Sequence, residues 1–162
     1  MLGFGFQLFA DDLLRLALAV LLGGLIGAER QMAGQSAGLR THVLVALGAA
    51  VFVLGGITGT EDPNITRVVQ GVAAGVGFIG AGAILRSSTG DRVRGLTTAG
   101  SIWVAAAMGT SAGLGEYALA SASGLITVVV LLALRPLSVW LSKRGPGPPV
   151  EDGHSHSGGA PR

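Results

Sequence analysis

The stretch GVGFIGAGAIL, residues 75–85, decides between two folds, because it contains the spacing G-x-G-x-x-G at Gly75, Gly77 and Gly80. In a dinucleotide-binding enzyme this spacing follows a strand, opens a helix and precedes an acidic residue by about 20 positions. Here the spacing lies inside a long uncharged run, and the next acid, Asp91, follows Gly77 by 14 residues across a basic loop. The glycines therefore indicate helix packing rather than phosphate binding.

The composition around this stretch favours lipid as the solvent. Of the 162 residues 49% are apolar and 12% are charged, and the mean hydropathy is +0.62. Soluble domains carry about 25% charged residues. The sequence has no cysteine, which excludes disulfides and thiolate metal ligands. A net charge of +2 gives no argument for nucleic-acid binding.

Charged residues divide the chain into five apolar segments, most of them close to the ~17 to 20 residues that a membrane-spanning helix needs. We predict spans over residues 13–28, 43–59, 68–85, 98–115 and 117–140. With the N-terminus outside, nine of the eleven arginines and lysines face the cytoplasm, as the positive-inside rule requires. The prediction is an all-α integral membrane protein, a bundle of about five short glycine-rich transmembrane helices, N-out and C-in. The alternative, a soluble helical bundle, needs polar stripes at the helical period that segments two, three and five lack.

Two regions follow from this division. Residues 1–141 are predicted to form the transmembrane helical domain, and residues 142–162, rich in Gly, Pro, Ser and His, a disordered cytoplasmic tail. The acidic start MLGFGFQLFADD predicts no cleaved signal peptide. In the tail, His154 and His156 are candidate ligands for a weakly bound metal, but no third ordered ligand accompanies them, so metal binding is left open; no cofactor is predicted.

Small residues let helices approach closely in lipid, where no hydrophobic force drives one helix against another. Segments one to four each carry a G-x-x-x-G spacing, and segment three places small residues on every side of its helix. The predicted packing positions are Gly23, Gly27, Gly55, Gly59, Gly71, Gly75, Gly77, Gly80, Gly82, Gly109 and Gly113. We therefore predict that the third helix is the central one and that the fifth faces lipid.

The predicted topology brings two polar loops together at the cytoplasmic mouth of the bundle. The candidate residues there are Glu29, Arg30, Arg40, Thr41, Arg94, Thr97 and Thr98. The threonine side chains are candidate caps of the helices that begin in these loops. One interpretation is a set of interfacial arginines, one of them paired with Glu29. The other is an anion or phospholipid-headgroup site built from Arg40, Arg94 and the helix N-termini.

Four motifs carry a resemblance to a known family. GGLIGAERQ at residues 23–31, AGLRTHVLVALGAAVFVL at 37–54, GVGFIGAGAILR at 75–86 and VRGLTTAGSIWVAAAMGTSAGLG at 93–115 resemble the MgtC/SapB family of bacterial inner-membrane proteins. The resemblance covers about residues 21–134. It implies a multi-pass protein of the bacterial inner membrane with a role in magnesium homeostasis, in adaptation to low magnesium and in virulence. It also implies a link to the F-type ATP synthase. Many members add a soluble ACT-like C-terminal domain, in place of which we expect the short tail.

The sequence and the resemblance leave three classes of function to compare: a regulator, a transporter or channel, and an enzyme. The favoured class is a non-catalytic regulator that contacts another inner-membrane protein through its helices, with anionic headgroups at the inner face and a homo-oligomer as further candidate partners. The alternative is an oligomeric transporter or channel for Mg²⁺ or another small solute. Such a path usually carries intramembrane carboxylates, which the spans lack, although a carbonyl-lined route along the third helix needs none. An enzyme is not expected, because the sequence has no P-loop, nucleophile elbow or paired intramembrane carboxylates.

Overall fold

The computed structural model describes residues 2–58, 64–87 and 95–142, and within these ranges every regular element is an α-helix. The five helices are α1 (Leu2–Met32), α2 (Leu39–Thr58), α3 (Ile65–Ser87), α4 (Leu96–Gly113) and α5 (Tyr117–Ser142). The predicted all-α fold is confirmed. Gly59, Arg94 and the predicted tail beyond residue 142 lie outside the described residues.

Two helix ends are set by glycines in the left-handed region. Gly34 follows α1 with φ 69°, and Gly115 follows α4 with φ 80°. Around each, backbone N–H groups return to carbonyls three and five residues back, as from Gln35 to Arg30 and from Glu116 to Ser111. This is the Schellman arrangement, which satisfies the last carbonyls of a helix and needs a residue that tolerates positive φ. The short turn after Gly115 makes α4 and α5 adjacent in the bundle.

Helix α4 is the centre of the bundle, since it contacts all four other helices. Half of its buried residues are alanines and glycines, which let the α1, α2 and α4 backbones approach closely. A Cβ at Gly23 would stand 2.7 Å from the carbonyl oxygen of His42, and a Cβ at Gly113 2.9 Å from that of Ala50. The main core consists of Ala19, Leu22, Ile26, Ala46, Ala50, Ala105, Met108, Ala112 and Ala120.

The prediction that the third helix is central is wrong. Within the described residues, helix α3 packs against α2 and α4 and against no other helix, through a face that includes Val76 and Gly80. Apart from its own helix backbone, a Cβ at Gly71, Gly75, Gly77 or Gly82 would meet no described atom within 4 Å, and the same holds for Gly55 of α2. Small residues permit close approach without requiring it, so a helix that is small on every side need not be covered on every side.

Three of the helices are long and apolar enough to cross a membrane, over Leu39–Ile57, Ile65–Ile84 and Tyr117–Pro136. These parts of α2, α3 and α5 correspond to three of the five predicted spans. Helix α1 carries charges near both ends of its apolar stretch, and α4 has only 18 residues, several of them Thr, Ser or Gly. A membrane-embedded helical fold is therefore supported, while five spans and the N-out orientation stay predictions.

At the Gly113 end of α4, one polar cluster fastens α1 to α4 and α5. The Tyr117 hydroxyl donates to Asp11 Oδ1 at 2.5 Å, and Arg15 Nε donates to Asp11 Oδ2 at 2.8 Å. Arg15 Nη1 also donates to the carbonyl oxygen of Gly113 at 3.0 Å. The sequence does not predict this cluster, because Tyr117, which ties Asp11 to α5, lies 106 residues away from it along the chain.

We expect acid to loosen this cluster. The hydrogen bond from Tyr117, and then that from Arg15, hold the pKa of the Asp11 carboxyl, which precedes the first predicted span, below its ordinary value of 3.8. A carboxyl with a lowered folded-state pKa contributes stability above its ordinary pKa and loses it as the pH falls through the lowered value. The melting temperature of the wild type in detergent should therefore fall below pH ~3.8 more steeply than that of Asp11→Asn. Equal acid dependence in the two proteins would contradict this.

Candidate functional site

A buried polar cluster lies at the other end of the bundle, where the end of α1 meets the starts of α2 and α4. Its members come from three elements that the α1–α2 turn and the central position of α4 bring together. We call it the mouth cluster, and its buried residues are Glu29 (6% exposed), Arg30 (5%), His42 (0%), Thr98 (1%) and Ser101 (4%). Burying a charged side chain costs free energy unless the charge is paired. Glu29 and Arg30 therefore need partners within this cluster.

Arg30 links α1 to α4. Its Nη2 donates to Thr98 Oγ1 at 3.3 Å, and Thr98 Oγ1 in turn donates to Gln35 Oε1 of the α1–α2 turn at 3.4 Å. Its Nη1 lies 3.8 Å from Glu29 Oε2, an ion pair at a distance too long for a hydrogen bond. The expected pairing of Glu29 with an arginine is therefore observed, and the partner is its sequence neighbour.

The pair is incompletely satisfied. Glu29 Oε2 and Arg30 Nε are both buried and have no hydrogen-bond partner within the described part of the chain. An unsatisfied buried polar group costs about 1–3 kcal/mol, and more when it is charged. The site therefore retains one acceptor and one donor that a water molecule, a ligand group or a rearrangement of neighbouring side chains would satisfy.

His42 forms the second link between elements in the mouth cluster. Its Nδ1 lies 2.9 Å from the carbonyl oxygen of Gly38, and its Nε2 lies 2.9 Å from Ser101 Oγ. The Ser101 hydroxyl is also 2.9 Å from the carbonyl oxygen of Thr98, one turn back along α4. Both ring nitrogens of a fully buried histidine thus face oxygen atoms, one from the α1–α2 turn and one from α4.

The structure brings some of the sequence-predicted residues together and not others. Glu29, Arg30 and Thr98 meet in the cluster. Arg40 and Thr97 are exposed, and Thr41 is half-buried in the first turn of α2. The proposed anion site of Arg40 and Arg94 therefore stays a prediction.

The prediction that threonines cap the two helices is wrong. The N-cap of α4 is Gly95, with φ 89° and no side-chain cap, and Thr97 and Thr98 are the second and third residues of the helix. Thr98 turns inward to Arg30 and Gln35 instead. At α2 the backbone carbonyl of Gly38 accepts from the N–H of His42, so Thr41 lies inside the helix.

Sequence reasoning missed the links of Gln35, His42 and Ser101 to this site. None of these three is among the residues predicted above for the cytoplasmic mouth, and no sequence pattern marks Gln35. The available signal was that His42 and Ser101 are polar residues followed one turn later on their helices by apolar ones, Val45 and Ala46 after His42 and Val104 and Ala105 after Ser101. Two such residues on packed helices are more stable bonded to each other than apart.

Comparison of the sequence with known proteins identifies a family and several relatives. The MgtC family model matches residues 16–140. The chain is 43% identical over 141 residues to Protein SrpB of Synechococcus elongatus, with 78% of each chain covered. It is 46% identical over 123 residues to Protein MgtC of Salmonella typhimurium, covering 76% of this chain and 52% of that protein. It is 41% identical over 132 residues to a protein of Synechocystis sp., covering 82% of this chain and 56% of that protein.

The chain thus spans about half the length of two of these three relatives. No solved structure matches it.

Proposed function

Because this chain belongs to the MgtC family, we propose that it serves bacterial adaptation to low magnesium as a non-catalytic regulator in the inner membrane. In this proposal it acts through helix contacts with a membrane protein, and the F-type ATP synthase is the partner that the family resemblance suggests. The observation that carries the proposal is the uncovered face of α3.

That face combines apolar side chains with exposed backbone. Gly71, Gly75 and Gly82 lie on one side of α3, and a Cβ at any of them would stand in open space. Phe78, on the same side, is 84% exposed. The G-x-x-x-G pairs of α1 and α4 lie against neighbouring helix backbones within the chain, whereas the α3 pair Gly71 and Gly75 has no such neighbour. In lipid, such a surface favours close packing of another helix.

A groove beside this face supports the same proposal. It lies between α2 and α3, has a volume of about 760 Å³ and is lined by apolar side chains and glycines. Its lining residues are Leu44, Val45, Gly48, Ala49, Phe52, Val68, Gly71, Val72, Gly75, Val76 and Ile79. Ridges of side chains on one helix pack into grooves of another, so the groove and the glycine face together offer a surface suited to a partner helix.

We predict that Gly75→Leu leaves the chain folded and removes partner binding. The new side chain would enter open space within the chain, so the melting temperature should stay near that of the wild type. The close helix approach would be blocked, and recovery of ATP synthase subunits with the tagged protein from bacterial membranes should fall by about tenfold, which corresponds to ~1.4 kcal/mol.

The matched control is Gly100→Leu, which adds the same side chain at an open, exposed glycine of α4. It should leave recovery of the partner unchanged. Equal recovery with Gly75→Leu and the wild type would overturn the α3 surface as the contact.

Transport by an oligomer is tested in the same set of variants. The outward glycines of α3 would also line a carbonyl path between copies of the chain. Mg²⁺ entry into sealed proteoliposomes that Gly75→Leu abolishes and Gly100→Leu retains would favour the transporter over the regulator.

A further inference from the structure

His42 is a titratable ring that is fully buried and whose two nitrogens are both held by oxygen atoms. The regulator proposed above, with its contact surface on α3, makes no use of it. The two oxygen atoms around the ring differ in hydrogen bonding: a carbonyl oxygen only accepts, whereas a hydroxyl both donates and accepts. This difference determines which ring nitrogens can carry a proton.

The Nδ1 side admits one arrangement. The carbonyl oxygen of Gly38 is an acceptor only, so a hydrogen bond at 2.9 Å requires a proton on Nδ1. A singly protonated His42 is therefore the Nδ1–H tautomer, which leaves Nε2 as an acceptor.

The Nε2 side admits two arrangements of the same heavy atoms. In the neutral ring, the Ser101 hydroxyl donates to Nε2. In the doubly protonated ring, Nε2–H donates to Ser101 Oγ, and the hydroxyl hydrogen turns to the carbonyl oxygen of Thr98, also 2.9 Å away. A hydroxyl both donates and accepts and can rotate between these directions. The ring can therefore gain or lose one proton while both hydrogen bonds of the histidine are kept.

Among the residues that the structure describes, the charged groups that act on the ring are the neighbouring pair Glu29 and Arg30 of α1. Glu29 carries a negative charge and Arg30 a positive one, so their fields at the ring oppose each other. From α4 the ring meets the uncharged Ser101, and from the α1–α2 turn the carbonyl of Gly38. Glu29 Oε2, which lies 3.8 Å from Arg30 Nη1, has no hydrogen-bond partner among the described residues.

We infer that His42 is a reversible proton-binding site that joins α2 to α4, with Nδ1 protonated throughout and Nε2 exchanging a second proton with water as the Ser101 hydroxyl reverses its direction. In the doubly protonated state the link to Ser101 is a charge-assisted hydrogen bond, which is stronger than the neutral one. Proton binding therefore tightens the contact between α2 and the central helix.

The test is nitrogen NMR of the histidine ring in the full chain. The other two histidines of the sequence are replaced as His154→Gln and His156→Gln, so that ¹⁵N-histidine labelling reports His42 alone in lipid nanodiscs. We expect Nδ1 to carry a proton at every pH at which the protein is folded, and Nε2 to pass from an unprotonated to a protonated signal as the pH is lowered. A neutral ring with its proton on Nε2, or a ring that never takes a second proton, would overturn the inference.

Ser101→Ala in that background tests the partner oxygen. Loss of the hydroxyl removes the stronger bond of the charged ring and the weaker bond of the neutral ring, so the second proton should bind at a pH lower by about 0.5 to 1 unit. Ser123→Ala is the matched control, since its hydroxyl also bonds to a carbonyl of its own helix, that of Leu119. If Nε2 takes up its proton at the same pH in the Ser101 and Ser123 variants, the inference is contradicted. Should Ser101→Ala fail to fold, the tautomer of the His154→Gln/His156→Gln protein still tests the inference independently.

Discussion

Gly109→Ala is expected to melt far below the wild type, by an amount equivalent to about 3 kcal/mol of unfolding free energy. A Cβ at this position would overlap the carbonyl oxygen of Ala46 and lie 2.7 Å from its carbonyl carbon and 2.8 Å from its Cα. These are backbone atoms in the middle of α2, which cannot move aside as a flexible side chain can. The α2 and α4 helices must therefore separate, and the packing between them is lost along several turns. Thermal unfolding in detergent, followed by circular dichroism, measures the effect.

Gly100→Ala is the control for this prediction, because Gly100 lies on the same helix and a Cβ there meets nothing within 4 Å. Alanine is a better helix former than glycine by up to ~1 kcal/mol, so this variant should be as stable as the wild type or slightly more stable. A similar loss in both variants would show that the close α2–α4 approach is not what glycine provides at position 109.

The contrast between Gly109 and Gly75 shows how much of the helix packing can be predicted from the sequence. Both lie in G-x-x-x-G spacings within apolar segments, and the spacing alone predicted a packing role for each. In the structure the first lies against the α2 backbone and the second faces outward. The G-x-x-x-G spacing predicts where another helix can come close to a backbone. Which helix, if any, lies there depends on how all five helices are arranged.

Helix number was predictable, and helix length was less so. Each of the five apolar segments coincides with one helix, but α1 begins at Leu2 and α2 at Leu39, well before the predicted apolar stretches. Hydropathy identifies the part of a helix that is suited to lipid. Backbone hydrogen bonding continues through charged residues such as Asp11 and Glu29 until a glycine or a turn ends it.

The mouth cluster was predicted in part because topology alone brings the relevant loops together. Positive-inside reasoning placed Glu29, Arg30 and Thr98 at the same end of the bundle. It gave no means to choose between Arg30 and Arg40 as the buried arginine, since that choice depends on which side of each helix faces α4. The hydrogen bond between His42 and Ser101 joins residues 59 positions apart and has no local signature in the sequence.

Arg30→Met should be the most destabilising substitution in the mouth cluster, at about 3–5 kcal/mol. It leaves the Glu29 carboxylate buried without a cation and removes the donor to Thr98 Oγ1. Glu29→Gln should cost less, because Arg30 keeps its bond to Thr98 and loses only an ion pair at 3.8 Å. Arg40→Met, at an exposed arginine ten residues along the chain, should change stability by less than ~0.5 kcal/mol.

The double variant Glu29→Gln/Arg30→Met distinguishes two causes of the stability loss in Arg30→Met: the unpaired carboxylate of Glu29, and the lost packing and hydrogen bonding of the Arg30 side chain. If the loss in Arg30→Met comes from an unpaired buried carboxylate, removing that charge as well should restore part of the stability, with a coupling free energy of about 1–3 kcal/mol in the double-mutant cycle. Additive losses would instead assign the effect of Arg30→Met to its aliphatic stem and the bond to Thr98. Among the described residues, Glu29 Oε2 and Arg30 Nε have no hydrogen-bond partner in the wild type, which costs stability. A positive coupling would show that the two charges nevertheless stabilise each other as a pair.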